Sequence, residues 1–143
     1  ATVGGALLTS ANPPTAPLEQ TSLRVLTYNI QQGYSQDGRR NYDGQLDLIR
    51  QMQADIIGLQ ESDTSRIAGG NADVVRYLAD RLSLYSYYGP KTVTGTFGIA
   101  LLSRYRIENP RTFYMYSEGE QTATIAAISD RFRAATMDVL AGR

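Results

Sequence analysis

The sequence predicts an α/β domain organised around a mixed β-sheet, and three observations lead to this prediction. Short apolar segments at residues 26–30 and 56–61 each end on polar side chains and lie about thirty residues apart. The residues between them repeat apolar side chains at helical spacing. Further short apolar runs, separated by turn residues, follow residue 84. A strand, a helix and a second strand in succession are typical of a βαβ unit, in which the two strands lie parallel in one sheet.

The elements of that unit follow from the side-chain pattern. Alternation over residues 23–30 predicts a first strand with both faces mostly covered. Apolar residues at helical spacing predict an amphipathic helix over residues 44–53, with Asp43 as its N-cap. The apolar run at residues 54–59 predicts the second strand.

The second half of the chain predicts one more long helix and several short strands. The helix is expected to start from an N-cap at Asn71 and to run through Leu84, and a short helix is expected within residues 129–143. Strands are predicted at residues 85–88, 99–103, 112–116 and 122–128. Residues 1–22 contain three closely spaced prolines and favour an extended linker, so the domain is expected to span residues 23–143.

Composition restricts the classes of function. The 143 residues suffice for one ordinary domain, and 14 basic against 14 acidic residues argue against a nucleic-acid partner. The sequence has no cysteine, which excludes disulfides and thiolate metal sites. It has no histidine either, although imidazole serves acid–base and metal chemistry near neutral pH more than any other side chain. No apolar run approaches the ~20 residues of a membrane span.

The polar side chains that end the first two strands are the main candidates for a site. Asn29 and Gln31 follow the first strand, and Gln60 and Glu61 follow the second, so parallel pairing brings them to one sheet edge. Glu61 suits Mg²⁺, which favours one or two carboxylates with waters and phosphate; the alternative is a strand-terminal acid that faces water. Asn29 suits a metal-bound water, a phosphate oxygen or the Glu61 carboxylate; the alternative is an ordinary hydrogen-bonded buried amide.

Two loops are candidates for contact with a substrate. The polar loop at residues 31–41 is placed to close over a ligand, and Asp63 follows Glu61 in the second loop. Asn71, at a predicted helix start behind two glycines, suits an anion, but the spacing is not that of a P-loop. For Asp63 and for the basic pair Arg104 and Arg106 the alternative is a solvated surface charge.

Three segments together resemble the endonuclease/exonuclease/phosphatase superfamily. They are Leu-Thr-Tyr-Asn-Ile at 26–30, Asp-Ile-Ile-Gly-Leu-Gln-Glu at 55–61 and Gly-Ile-Ala-Leu-Leu-Ser-Arg-Tyr at 98–105. A fuller set adds Gln-Gln-Gly-Tyr at 31–34, Ser-Asp at 62–63, Gly-Gly-Asn at 69–71, Tyr-Gly-Pro at 88–90 and Ser-Glu-Gly-Glu at 117–120. This set is similar to the nuclease-like C-terminal domain of the fungal and animal membrane proteins that remodel the lipid of GPI anchors.

The resemblance implies a fold, a cofactor and a cellular place. The fold would be a four-layer sandwich of two mixed sheets flanked by helices. Glu61 would hold Mg²⁺, with Mn²⁺ as a substitute, and Asn29 beside it would orient phosphate and complete the metal site. The domain would be attached to a membrane-spanning part of the same protein, on the lumenal side of the ER or Golgi membrane in the secretory pathway.

The sequence also departs from the superfamily pattern. Gln31 stands where some members have an acidic residue, and Arg106 stands where proline is usual. The superfamily's second half, with its terminal Asp-His pair, is absent, and residues 129–143 do not resemble the family's continuation. We therefore expect a truncated domain that carries half of an active site and is inactive alone.

The sequence leaves three hypotheses for function open. The first is the N-terminal portion of a nuclease-like domain of a GPI-anchor lipid-remodelling protein. The second is a Mg²⁺-dependent phosphodiesterase acting on phospholipid, phosphoinositide or nucleic acid, the last disfavoured by the neutral charge. The third is a non-catalytic domain that binds a lipid headgroup or a protein through its two loops.

Overall fold

The structure is a computed structural model that describes residues 22–62, 72–89, 98–117 and 120–126 of the chain, with side chains up to residue 114. These residues form six strands and two helices. In chain order they are β1 (Val25–Asn29), α1 (Tyr42–Met52), β2 (Ile56–Gln60), α2 (Val74–Leu82), β3 (Tyr85–Tyr88), β4 (Ala100–Ser103), β5 (Arg111–Ser117) and β6 (Glu120–Ala126).

The central element is a four-stranded mixed sheet with the order β1-β2-β4-β3. β1 and β2 are parallel and are joined through α1, whereas β4 runs antiparallel to both of its neighbours. The register pairs Asn29 at the end of β1 with Gln60 at the end of β2. The predicted α/β class and its parallel first unit are confirmed.

Both helices pack on one face of this sheet. Ile57, Leu59 and Leu102 are fully or almost fully buried on that face, against Ile49 of α1 and Leu78 of α2. The helices place their apolar residues three or four positions apart, so each presents one continuous stripe to the sheet. Burial of this stripe, rather than intrinsic helix propensity, supplies most of the stability of such short helices.

The helix starts differ from the prediction. The N-cap of α1 is Asn41, whose side chain accepts a hydrogen bond from the Gly44 amide, and not Asp43. Asp43 lies inside the first turn and accepts a hydrogen bond from the hydroxyl of Tyr77 in α2. The N-cap of α2 is Asp73, which accepts from the Arg76 amide, while the predicted cap Asn71 lies outside the described residues.

On the face of the sheet opposite the helices, β1 is exposed in the described part of the chain. Val25 is 67% exposed and Thr27 is also exposed, so the prediction that both faces of the first strand are covered is wrong for these residues. The strand does alternate, with Leu26 and Tyr28 turned towards the core. Alternation alone shows that one face is buried, and only packing decides the other.

β5 and β6 form a separate antiparallel hairpin. The Thr112 hydroxyl joins this hairpin to the end of β3, since it donates to the Gly89 carbonyl at 2.5 Å and lies 3.0 Å from the Tyr87 hydroxyl. The hairpin lies within one or two residues of the predicted strands, and the helix expected within residues 129–143 lies outside the described residues.

At the edge of the sheet where β2 begins, Asp55 connects Arg24, which precedes β1, with Arg104, which follows β4. Its side chain is only 1% exposed; one carboxylate oxygen accepts from the Arg24 amide at 2.9 Å, and the other lies 3.4 Å from Arg104 Nε. Its main chain bonds the same two residues, because its amide donates to the Arg24 carbonyl and its carbonyl accepts from the Arg104 amide. Arg104 is therefore a partner of a buried acid and not only a surface charge.

Replacement of Asp55 by alanine should lower the free energy of unfolding by about 2 kcal/mol, because the Arg24 amide and the Arg104 guanidinium lose a buried partner. The effect should stay below the ~3–5 kcal/mol of a fully buried ion pair, since water still reaches Arg104. Urea unfolding followed by circular dichroism measures the change.

Asp47→Ala is the matched control, because Asp47 is 66% exposed and pairs with Arg50 within α1. Loss of such a surface pair should change stability by less than about 0.5 kcal/mol. Equal effects of Asp55→Ala and Asp47→Ala would contradict the bridging role of Asp55.

Candidate functional site

The candidate site lies at the edge where β1 and β2 end side by side. After its last residue each strand continues into a turn, and the two turns stay hydrogen-bonded to each other. The Ile30 amide donates to the Gln60 carbonyl at 3.1 Å, and the Gln32 amide donates to the Glu61 carbonyl at 2.9 Å. The parallel pairing thus extends past the strands and holds the two turns at one level.

The predicted meeting of Asn29 and Glu61 is present. Asn29 Nδ2 donates to Glu61 Oε1 at 2.7 Å, and Asn29 Oδ1 accepts from the Gln31 amide at 2.9 Å. The reverse orientation of the carboxamide would set its oxygen against the carboxylate and its NH₂ against an N–H donor. The neighbours of Asn29 therefore permit one orientation, and that orientation aims its donor at Glu61.

Three non-glycine residues take left-handed backbone conformations at this edge. The φ angles are +48° at Gln31, +56° at Gln32 and +48° at Glu61. Each costs roughly 1–2 kcal/mol relative to a right-handed conformation. Clusters of such residues are typical of functional sites, where the surrounding contacts hold a conformation that the local sequence does not favour.

The loop after β1 is folded back on itself. Gln31–Gly33 forms a 3-10 turn, Tyr34 bridges to Arg40, and the Asn41 amide donates to the Gly33 carbonyl. Gly33 has φ +84°, and a Cβ atom there would collide with the Tyr42 ring, so only glycine fits. The loop at residues 31–41, predicted to close over a ligand, is thus anchored at both ends beside the site.

The other predicted site residues fall in different places. Gln31 lies at the edge, with its backbone amide bonded to Asn29 and its side chain exposed. Gln60 makes hydrogen bonds away from Glu61, from Nε2 to the Thr27 hydroxyl at 3.0 Å and to the Gly58 carbonyl at 3.3 Å. Asp63 and Asn71 lie outside the described residues.

The oxygen ligands that the edge offers fit a hard divalent cation whose other ligands are water and substrate. Glu61 is half-buried and offers one carboxylate whose Oε1 is oriented by Asn29. Mg²⁺ in proteins usually takes one or two carboxylates and keeps several waters or phosphate oxygens, so a single oriented carboxylate is compatible with it. A group of three acidic, His or Cys ligands does not occur among the described residues.

Sequence reasoning missed two buried polar residues next to the site. Gln45 of α1 donates from Nε2 to the Ile30 carbonyl at 2.8 Å. Ser62, fully buried, donates its amide to the Gly98 carbonyl at 2.7 Å, while its hydroxyl has no hydrogen-bond partner in the described part of the chain. A glutamine beside Leu46, within the apolar stripe of α1, was the available signal for the first; Ser62 offered none.

A mixed sheet whose parallel pair ends in a hydrogen-bonded carboxamide and carboxylate, with helices on one face, defines an α/β domain with a polar site at the carboxyl ends of its parallel strands. A family model described as the PGAP2IP C-terminal nuclease-like domain matches residues 20–141. The chain therefore belongs to this family, which confirms the resemblance found in its motifs. The match continues to residue 141, so the expectation that residues 129–143 depart from the family is wrong for nearly all of that segment.

A curated relative supports the same family. Protein cwh43 of the fission yeast Schizosaccharomyces pombe is 40% identical to the chain over 85 residues. This alignment covers 59% of the chain but only 9% of cwh43, so the matched segment is a small part of that protein. No solved structure matches the chain. In the segments that the structure describes, no helix is long and apolar enough to cross a membrane.

Gln32→Gly should stabilise the protein by about 0.5–1 kcal/mol, because glycine adopts a positive φ without the steric cost that glutamine carries. The Gln32 side chain makes no hydrogen bond within the described residues that the substitution would remove. Thermal and urea unfolding of the variant measure the gain.

Gln51→Gly provides the control, since Gln51 is an exposed residue inside α1. The same substitution there should destabilise by about 0.5–1 kcal/mol, the usual cost of glycine in a helix. If both variants lose stability equally, the left-handed conformation of Gln32 is not the one that the protein adopts.

Proposed function

We propose that this chain is the N-terminal part of a nuclease-like domain that acts in GPI-anchor lipid remodelling, and that its edge binds a divalent cation together with a phosphate group. The hydrogen-bonded pair of Asn29 and Glu61 is the observation that carries the proposal. Family membership supports the remodelling role, and under that role the domain lies on the lumenal side of a secretory-pathway membrane, attached to the membrane-spanning part of its parent protein.

The geometry supports cation binding through Glu61 rather than through Asn29. Both polar atoms of the Asn29 carboxamide already have partners, Glu61 for the nitrogen and the Gln31 amide for the oxygen. Asn29 therefore orients the carboxylate and keeps one of its oxygens fixed. Hydrogen-bonded neighbours that orient a metal ligand in this way usually raise metal affinity by about 10–100-fold.

A bound Mg²⁺ would supply the positive charge that attracts and polarises a phosphate oxygen. The chain's own residues provide the rest: Glu61 offers the ligand oxygen, and Asn29 fixes its direction. Mn²⁺ has similar ligand preferences and is a suitable probe.

We infer that the chain by itself binds but does not turn over a phosphodiester. A phosphodiesterase also needs a group that activates water near neutral pH, and the sequence contains no histidine for that task. Activity would then depend on groups supplied from outside this chain. This distinguishes the proposal from the alternative of a self-sufficient phosphodiesterase.

The test is calorimetric titration of Mn²⁺ and Mg²⁺ into the purified full chain and into Glu61→Gln. We expect saturable binding to the parent chain and its loss in the variant, because the amide replaces the only carboxylate that the proposal uses. Glu108→Gln is the matched control; Glu108 follows β4, which ends at the sheet edge opposite Glu61, so binding should be unchanged.

Circular dichroism must show that each protein is folded in the same buffer. A folded parent chain without saturable binding would overturn the cation site and favour a cation-independent binding domain. Hydrolysis of bis-p-nitrophenyl phosphate that depends on Glu61 would instead overturn the inference that the chain is inactive alone.

A further inference from the structure

We propose that Gln45 is a positioning residue that sets the geometry of the Asn29–Glu61 pair by holding the peptide between Ile30 and Gln31. The part of this proposal that concerns cation affinity rests on the proposed function. The part that concerns the geometry of the edge stands on the contacts alone.

The helix contacts the turn through a side-chain hydrogen bond. Gln45 lies in α1, is 6% exposed, and donates from Nε2 to the Ile30 carbonyl at 2.8 Å. Ile30 is fully buried beside it. The hydrogen bond spans fifteen positions of sequence and joins the helical layer to the turn that follows β1.

The planar peptide bond between Ile30 and Gln31 carries this constraint to the site. The Ile30 carbonyl and the Gln31 amide belong to one rigid peptide unit, so the direction of one fixes the direction of the other. The Gln31 amide donates to Asn29 Oδ1, and Asn29 Nδ2 donates to Glu61 Oε1. A hydrogen bond from Gln45 on one side of this peptide therefore fixes the carboxamide and the carboxylate on its other side.

The Ile30 carbonyl has a second donor, the Gly33 amide at 2.8 Å. That donor belongs to the same 3-10 turn and moves with it. Gln45 is carried by α1, which packs against the sheet, so its bond ties the turn to the rigid part of the domain. The left-handed φ angles of Gln31 and Gln32 show that the turn is not held by local backbone preference.

Stabilisation of the contact between α1 and the turn after β1 does not explain why residue 45 is a glutamine. Gln45 Oε1 is buried and has no hydrogen-bond partner in the part of the chain that the structure describes, which is unfavourable. An apolar side chain of the same length would fill the space without that unpaired acceptor. What glutamine adds is the donor to Ile30.

Gln45→Met tests the proposal, because methionine keeps the length of the side chain and removes both polar atoms. In the cation-free chain, hydrogen exchange of the Gln31 amide should accelerate at least tenfold, while exchange of the amides within β2 should not change. The urea midpoint should stay the same or rise, and Mn²⁺ affinity should fall at least tenfold.

Gln51→Met makes the same change on the exposed face of α1 and should leave all three measurements unaltered. A structural role for Gln45 would lower the urea midpoint and accelerate exchange throughout the sheet. The combination of unchanged stability with a local loss at Gln31 is specific to positioning.

The outcomes separate this proposal from the proposed function. If the parent chain binds no Mn²⁺, the cation site fails, while the exchange rate of Gln31 still decides the role of Gln45. Unchanged Gln31 exchange in a folded Gln45→Met variant would overturn the positioning role. If neither Gln45→Met nor Gln45→Leu folds, Gln45 serves the stability of the domain and the proposal is wrong.

Discussion

The structure depends on the parallel pairing of β1 with β2, which places Asn29 opposite Gln60 and lets both strands end at one level. Parallel strands cannot be joined by a tight turn, so the chain must cross over, and α1 makes that crossing. The helix covers the sheet and also carries Gln45 to the turn after β1. One topological requirement therefore supplies both the core and the support for the edge.

The edge combines local strain with contacts that come from distant parts of the sequence. Left-handed conformations at Gln31, Gln32 and Glu61 are unfavourable one by one. They persist because amides of the first turn donate to carbonyls at the end of β2, and because Ser62 is bonded to Gly98. Left-handed conformations also occur at Gln53, Ser83 and Asn109, but three of them together at the edge where a carboxylate and a carboxamide meet are expected of a preformed site rather than of an ordinary strand end.

Much of the fold was predictable because it depends on local pattern. Alternation in β1 and helical spacing in α1 reflect the buried face of each element, and burial dominates stability. The helix caps were harder, because Asn41 and Asp43 are both good caps and stand two positions apart. In the structure Asn41 caps the helix, and Asp43 instead accepts a hydrogen bond from Tyr77, thirty-four positions away.

The residues of the candidate site were also predictable only in part. Asn29 and Glu61 were predictable as neighbours, since the carboxyl ends of parallel strands meet. Gln45 and Asp55 were not, because each acts through a partner that only the folded register identifies, the Ile30 carbonyl for one and Arg104 for the other. A polar residue in an apolar stripe shows that some partner exists, but it does not say which.

The Asn29–Glu61 pair is shaped by residues that lie close together in the sequence. The hydrogen bonds that shape the Asn29–Glu61 pair come from β1, α1 and β2, which are contiguous in sequence. The Ser62 amide, which donates to the Gly98 carbonyl, in addition links the second turn to a later part of the chain. Under the proposed function, cation and phosphate binding would rely on this β1–α1–β2 unit, whereas activation of water would require groups from elsewhere.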